Sequence, residues 1–329
     1  MLYTQSEALI LFKAFKNNSK LYFYPMSVLD ELNTLDLFEL FTNEAKALNF
    51  AFHYDMLYDE GICESTLHCR GRYYIVRDLS TKTGYRLKCS KCKKTKSLFY
   101  NSIFTRSQLP VNVVLHILYC WAHECSIDFT SHECDVSTNT VTNFFQAFRQ
   151  ACKYVTDNEP HFQIGGPGRI VEIDETIISK RKSNAGRILP EIWVFGGVCR
   201  ESGERFALQV PDRSASTLIP IIQRYIAPSS VIYSDSWKAY NRIAILPQRY
   251  THKTVNHSTN FVDPVSGAHT QNVERMWREV KRVRRRYEGI NRIDIDYHIA
   301  EYLWRTNNNV NRKNCFAMAV LLITECPYY

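Results

Sequence analysis

The chain has 329 residues, 45% hydrophobic and 22% charged, with 41 Lys and Arg against 33 Asp and Glu for a net charge of +8. This length and balance exclude a disordered chain and allow about two or three domains, each with a core. The basic excess, with Arg clustered late in the chain, favours an anionic partner, most commonly nucleic acid. No apolar run approaches the ~20 residues of a membrane span, so no membrane partner is expected.

The first residues, MLYTQSEALILFKAF, place an acid before the apolar stretch and Lys13 and Lys16 after it, the reverse of a secretory signal. The eleven cysteines then fit a reducing compartment, as core thiols or zinc ligands. Residues 1–60 read as a helical N-terminal region, rich in Leu, Phe and Ala over Asp36–Leu57, with half a capping box at Thr42-x-x-Ala45. No chemistry is expected there.

Residues 61–105 read as a zinc-ribbon-like segment. Cys89-x-x-Cys92 in a Lys-rich turn has the shape of one zinc knuckle; the other half must come from Cys63 with Cys69 or His68. Tyr73–Val76 and Tyr85–Lys88 would be the ribbon strands, and one structural zinc ion the cofactor; a metal-free ribbon is the alternative.

Residues 106–158 read as a helix-turn-helix-like DNA-binding region. One helix starts at Leu109-Pro110 and runs to about Cys125, a shorter one covers Ile127–Cys134, and Ser137 caps a third over Thr138–Tyr154. Thr138, Asn139, Thr142, Asn143, Gln146 and Arg149 give that third helix a polar side suited to reading bases.

From Gly165 the pattern sharpens into an α/β unit over 165–310, followed by a tail at 311–329. Arg169–Thr176, RIVEIDET, alternates apolar and polar residues and ends in acids, as a strand would whose Glu172 and Asp174 share a face. Glu191–Arg200 and Glu204–Val210 form two further strands joined at Gly203. Ser216–Ile226 is a helix, Val231–Ser234 a buried strand ending at Asp235, and Tyr250–Val255 another strand. Helices follow from Thr270 to about Arg286 and over Ile293–Arg305. This is the element order of a ribonuclease-H-like mixed sheet.

If the first and fourth strands of that sheet are parallel neighbours, Asp174 and Asp235 meet at their ends, and Glu274 on the following helix completes a set of three acids. Three such carboxylates repel one another unless cations join them. Two Mg²⁺ or Mn²⁺ ions would hold them and drive phosphoryl transfer. On the Glu274 helix, Arg278, Lys281 and Arg285 continue one face beside an apolar stripe of Val273, Met276, Val280 and Val283. That row suits DNA phosphates, as does a second group at Lys180, Arg181, Lys182 and Arg187. His269 is an accessory site candidate.

The segments VEIDET, KRKSNAGR, WVFGGVCR, DRSASTLIPII, VIYSDSWKAY, VNHSTNFVDP and GAHTQNVERMW, in this order over 165–305, resemble the Merlin superfamily of cut-and-paste transposases and related bacterial insertion sequences. The resemblance implies a DDE triad on Asp174, Asp235 and Glu274, metal-dependent cleavage at transposon ends and strand transfer into target DNA. It also implies a zinc ribbon and helical DNA-binding segment ahead of the catalytic domain; the first half of the ribbon departs from that pattern. Partners would be double-stranded DNA, as terminal inverted repeats and target, and further copies of the chain assembled on it. The location would be the nucleus in a eukaryote and the cytoplasm otherwise. The alternative is a domesticated, catalytically silent DNA-binding protein. A tyrosine recombinase is excluded, because no histidine has Arg three residues on.

Overall fold

The computed structural model describes residues 29, 32–57, 61–63, 69–100, 102–105, 107–159, 162–179, 191–256, 262–264, 267–286 and 294–326. The chain forms two compact units, Met1–Val155 with Val310–Tyr329, and Thr156–Asn309. Among the described residues no helix is long and apolar enough to cross a membrane.

The first unit begins with helices α1 (Phe38–Thr42) and α2 (Glu44–His53). Asn43, not the expected Thr42, caps α2: its side chain accepts from the Lys46 amide, while the Thr42 hydroxyl turns back to the Phe38 carbonyl. The ribbon is a three-stranded antiparallel sheet of β1 (Tyr73–Arg77), β2 (Tyr85–Cys89) and β3 (Thr95–Ser97). Helices α3 (Val111–Ala122), α4 (Ile127–Glu133) and α5 (Thr138–Asn158) follow. Glu44 reaches across from α2 to accept from the Val111 and Asn112 amides at the start of α3, a carboxylate where the helix dipole favours one. Ser126 and Ser137 cap α4 and α5 through the Phe129 and Thr140 amides.

On α5, Thr138, Asn139, Thr142 and Asn143 are exposed as expected. Arg149 is not part of that polar side: it is buried, at cation–π distance from Phe145. Residues 311–329, expected only as a tail, carry helix α9 (Cys315–Glu325), and its Phe316 packs on Phe41, Phe50 and Tyr119.

In the second unit a short parallel pair, β4 (Ile164–Gly165) with β8 (Ile226–Ala227), stands beside a five-stranded sheet. That sheet contains β5 (Ile170–Ser179), β6 (Ile192–Cys199), β7 (Arg205–Val210), β9 (Val231–Asp235) and β10 (Thr251–Val255), in the order β10-β9-β5-β6-β7. The β5-β6-β7 meander is antiparallel, and β5, β9 and β10 are parallel. The first and fourth strands of this sheet are therefore parallel neighbours, as the element order requires.

Helix α6 (Ala215–Tyr225) and a 3₁₀ helix (Lys238–Ile245) cover one face, burying Leu218, Ile222, Tyr240 and Ile243 against Ile173 and Phe195. Each such side chain contributes about 1.5–3 kcal/mol on leaving water. The other face packs on α7 (Gln271–Arg286) and α8 (Ile295–Asn307) through Val273, Met276, Trp277, Val280, Ile299 and Leu303. Pro220 lies in the second turn of α6, on its exposed side.

Candidate active site

Alternation along β5 turns Glu172, Asp174, Thr176 and Ile178 to one face of the sheet, where α7 lies. Three of them bond to that helix in register. The Glu172 carboxylate accepts from the Asn272 and Val273 amides at 2.8 and 3.2 Å and from the Asn272 side chain at 2.7 Å. Asp174 Oδ2 accepts from Trp277 Nε1 at 3.1 Å, and Lys281 Nζ donates to Thr176 Oγ1 at 2.5 Å. Two strand residues advance about 6.7 Å and four helix residues about 6.0 Å, so the contacts repeat in step.

Glu172 is fully buried and paired with Arg200, whose Nε lies 2.5 Å from Oε1. A buried acid is tolerated only with such partners. It anchors the first turn of α7, the turn that carries Glu274. The sequence signal for this role is the face that Glu172 shares with Asp174.

Gly196 sits opposite Asp174 in the β5–β6 register. A Cβ there would come within 2.5 Å of the Phe206 carbonyl oxygen and 2.8 Å of the Trp277 ring. Glycine is what lets the Trp277 ring lie against the sheet and reach Asp174.

The β5–β9 ladder ends at Glu172↔Tyr233, while β9 continues beside β10 to Asp235↔Val255. One strand leaves its neighbour here, and Asp174 and Asp235 occupy the two sides of the opening. Asp235 Oδ1 accepts from the Trp237 amide at 3.0 Å. Burial, reinforced by the charges of Glu175 and Asp235, pushes the Asp174 carboxyl up to about 7. Burial and the Asp235 charge do the same for Glu175, also to about 7, against the pull of Tyr240 and Arg213. Glu175, next along the strand after Asp174, leaves the α7 side. It is nevertheless part of the same electrostatic cluster, with the buried Tyr240 hydroxyl directed at its carboxylate. Arg213 is held over the Trp193 and Trp237 rings at 4.2 and 4.4 Å.

Glu274 is exposed in the first turn of α7, and the Thr270 hydroxyl lies 3.4 Å from its Oε1. Asp174, Asp235 and Glu274 do not form a set with all ligand atoms within 4.8 Å; among the described residues, two cysteine-containing sets do. His269 faces Glu172, with Nδ1 3.6 Å from Oε1, rather than Asp174. Arg278 is exposed, whereas Lys281 turns in to Thr176 and leaves the open basic row expected of it. Lys180, Arg181, Lys182, Arg187, His68 and the side chain of Arg285 lie outside the described residues.

The ribbon brings Cys63, Cys69, Cys89 and Cys92 together, all four sulfurs within 4.8 Å. Cys63 Sγ lies 3.6 Å from Cys92 Sγ, and Cys69 Sγ 3.5 Å from Cys89 Sγ. A tetrahedron with Zn–S bonds of about 2.3 Å has edges of about 3.8 Å, close to these. The two halves repeat one another: the Cys63 and Cys89 amides donate to the Gly71 and Lys94 carbonyls. The Gly71 and Lys94 amides in turn bond toward the Cys69 and Cys92 sulfurs. Cys69 stands as the fourth member of this set, which fits zinc.

Residues 165–307 match the family described as the ISXO2-like transposase domain. An uncharacterized transposase-like protein of Haemophilus influenzae is 27% identical over 104 residues, 32% of this chain and 81% of that protein. Together they support a DDE transposase family for the second unit, without singling out the Merlin superfamily. The chain is also similar to the catalytic core domain of BIV integrase, at 18% identity and TM-score 0.29 over 41% of this chain and 81% of that one. For the HTLV-2 integrase catalytic core domain in complex with magnesium the values are 16%, 0.30, 42% and 86%. At these TM-scores the likenesses add nothing to the strand order described above.

Proposed function

We propose that the second unit is the ribonuclease-H-like catalytic domain of a DNA transposase of the DDE type, with Asp174, Asp235 and Glu274 as its metal-holding acids. The observation that carries this reading is the pair of acids where parallel β5 and β9 part, within a segment that matches a transposase domain. The donors are hard carboxylate oxygens, which suit Mg²⁺ or Mn²⁺. A largely buried Glu175 carboxylate beside two further acids is a cluster that needs positive charge.

When bound, two such cations would activate the attacking oxygen and stabilise the leaving oxygen of an in-line displacement at phosphorus. Trp277 orients Asp174, and the Trp237 amide orients Asp235. Glu172 fixes the turn from which Glu274 must reach the same centre. Arg278 lies exposed on α7 to meet phosphates, and the exposed residues of α5 would read bases at the transposon ends. The substrates are then terminal repeats and target DNA, with copies of the chain assembling on them.

The test is metal-dependent cleavage of duplex ends by the parent and by Asp174→Asn, Asp235→Asn and Glu274→Gln. Each variant should retain DNA binding and lose at least about a thousandfold in cleavage, roughly 4 kcal/mol of barrier. DNA binding by the parent without cleavage in Mg²⁺ or Mn²⁺ would instead support the silent DNA-binding reading.

A further inference from the structure

The first unit holds a second cluster of soft ligands, away from the ribbon in sequence. His116 and Cys120 are four residues apart on α3 and so share a face of that helix. Cys134 is the C-cap of α4, its amide bonded to the Thr130 carbonyl. The ligand atoms of His116, Cys120 and Cys134 all lie within 4.8 Å of one another. Cys125, in the turn between the helices, is fixed by its amide bond to the Cys120 carbonyl at 2.9 Å, with Glu124 in the left-handed region at φ 58°. The Cys120 thiol bonds to those of both Cys125 and Cys134. Phe41 stacks on the His116 ring at 4.6 Å and 11°, holding the imidazole in one orientation.

We propose that His116, Cys120, Cys134 and Cys125 form a structural zinc site that fixes α4 against α3. Buried cysteines alone are ordinary core residues. Here three thiols and an imidazole from three successive backbone segments turn toward one another. One imidazole and three thiolates is a closed tetrahedral set for Zn²⁺. Cys125, whose thiol faces that of Cys120 and lies near His116, supplies the fourth ligand. The metal sets the angle at which α4 and the capped start of α5 are presented, so it acts on the geometry of the helix-turn-helix and not on the carboxylate centre. The site does not depend on the transposase reading.

The experiment counts metal on the full-length chain, purified under reducing conditions, by elemental analysis and native mass spectrometry. Two zinc ions per chain are expected: one lost in Cys89→Ser, the other lost in the Cys120→Ser/Cys134→Ser double variant, which keeps the ribbon ion. Should the double variant fail to fold, cobalt loading of the parent in excess Mg²⁺ gives the same count. Two equivalents of cobalt should show the intense visible and thiolate charge-transfer bands of tetrahedral sites, and Cys89→Ser should retain one. A single zinc or thiolate-bound cobalt per parent chain, lost in Cys89→Ser, overturns the proposal. So does a Cys120–Cys134 disulfide with no second metal.

Discussion

Trp277 Nε1 donates to Asp174 Oδ2 at 3.1 Å, tying one acid of the candidate centre to the helix that carries another. The ring is buried, with Gly196 clearing the space it occupies, so the donor has little freedom to move. Trp277→Phe keeps most of the packing and removes the donor. A hydrogen bond to a charged group is worth about 1.5–3 kcal/mol, so cleavage should fall by roughly 10- to 100-fold with DNA affinity unchanged. Cleavage at the parental rate would show that Asp174 needs no such orientation.

Gly196→Ala tests the same contact from the sheet side. A methyl group there meets a backbone oxygen at 2.5 Å, which cannot swing aside as a side chain can. Overpacking of this kind costs about 1–3 kcal/mol. The thermal midpoint of the second unit should drop by roughly 2–10 °C, and Gly203→Ala, in open space but at φ 75°, gives a strain-only comparison.

The raised carboxyls make a pH prediction. Asp174 and Glu175 stand near 7 in the folded chain against ordinary values of 3.8 and 4.5. The folded state therefore binds more protons than the unfolded one in that interval, and stability of the metal-free protein falls as pH rises from about 4 to about 7. Mg²⁺ added at pH 8 should restore it. Asp174→Asn should raise the metal-free midpoint at pH 8 by a few degrees, about 1 kcal/mol or more, and blunt the response to Mg²⁺. A flat midpoint from pH 4 to 8 in the metal-free parent would contradict the cluster's electrostatics.

Glu279 separates architecture from chemistry on one helix. Burial works against its ionisation, but the Tyr302 and Arg205 hydrogen bonds and the Arg205 and Arg275 charges outweigh it and hold the carboxyl below its ordinary value. Stability drawn from Glu279 is thus present above the ordinary value and lost as pH falls through the lowered one. Glu279→Gln should lower the thermal midpoint yet cleave nearly as fast as the parent, whereas Glu274→Gln should do the reverse. Equal loss of cleavage in both would remove the distinction.

Legibility in the sequence followed the scale of each interaction. The strand alternation of RIVEIDET and the helical stripe on α7 are short-range patterns, and both were readable. The placing of Asp174 and Asp235 on neighbouring parallel strands was readable because it follows from strand order. The partners of Glu172 were not: Arg200, Asn272 and Val273 lie 28 to 101 positions away, and periodicity carries no information about such pairs. Lys281 showed the converse error, since helical spacing placed it with Arg278 while its length let it bend inward to Thr176. His116, Cys120, Cys125 and Cys134 escaped notice because no paired C-x-x-C marks them.

The burial of Glu172 also shapes how substitutions will read. Its replacement by Gln or Ala would strip the start of α7 of an acceptor and leave Arg200 facing an unbalanced pocket, a loss of about 3–5 kcal/mol. A carboxylate scan scored only by cleavage would therefore rank Glu172 alongside Asp174, although only one of them stands at the strand opening. Reading the melting curve of each variant beside its turnover distinguishes the residue that builds the frame from the residues that do the work within it.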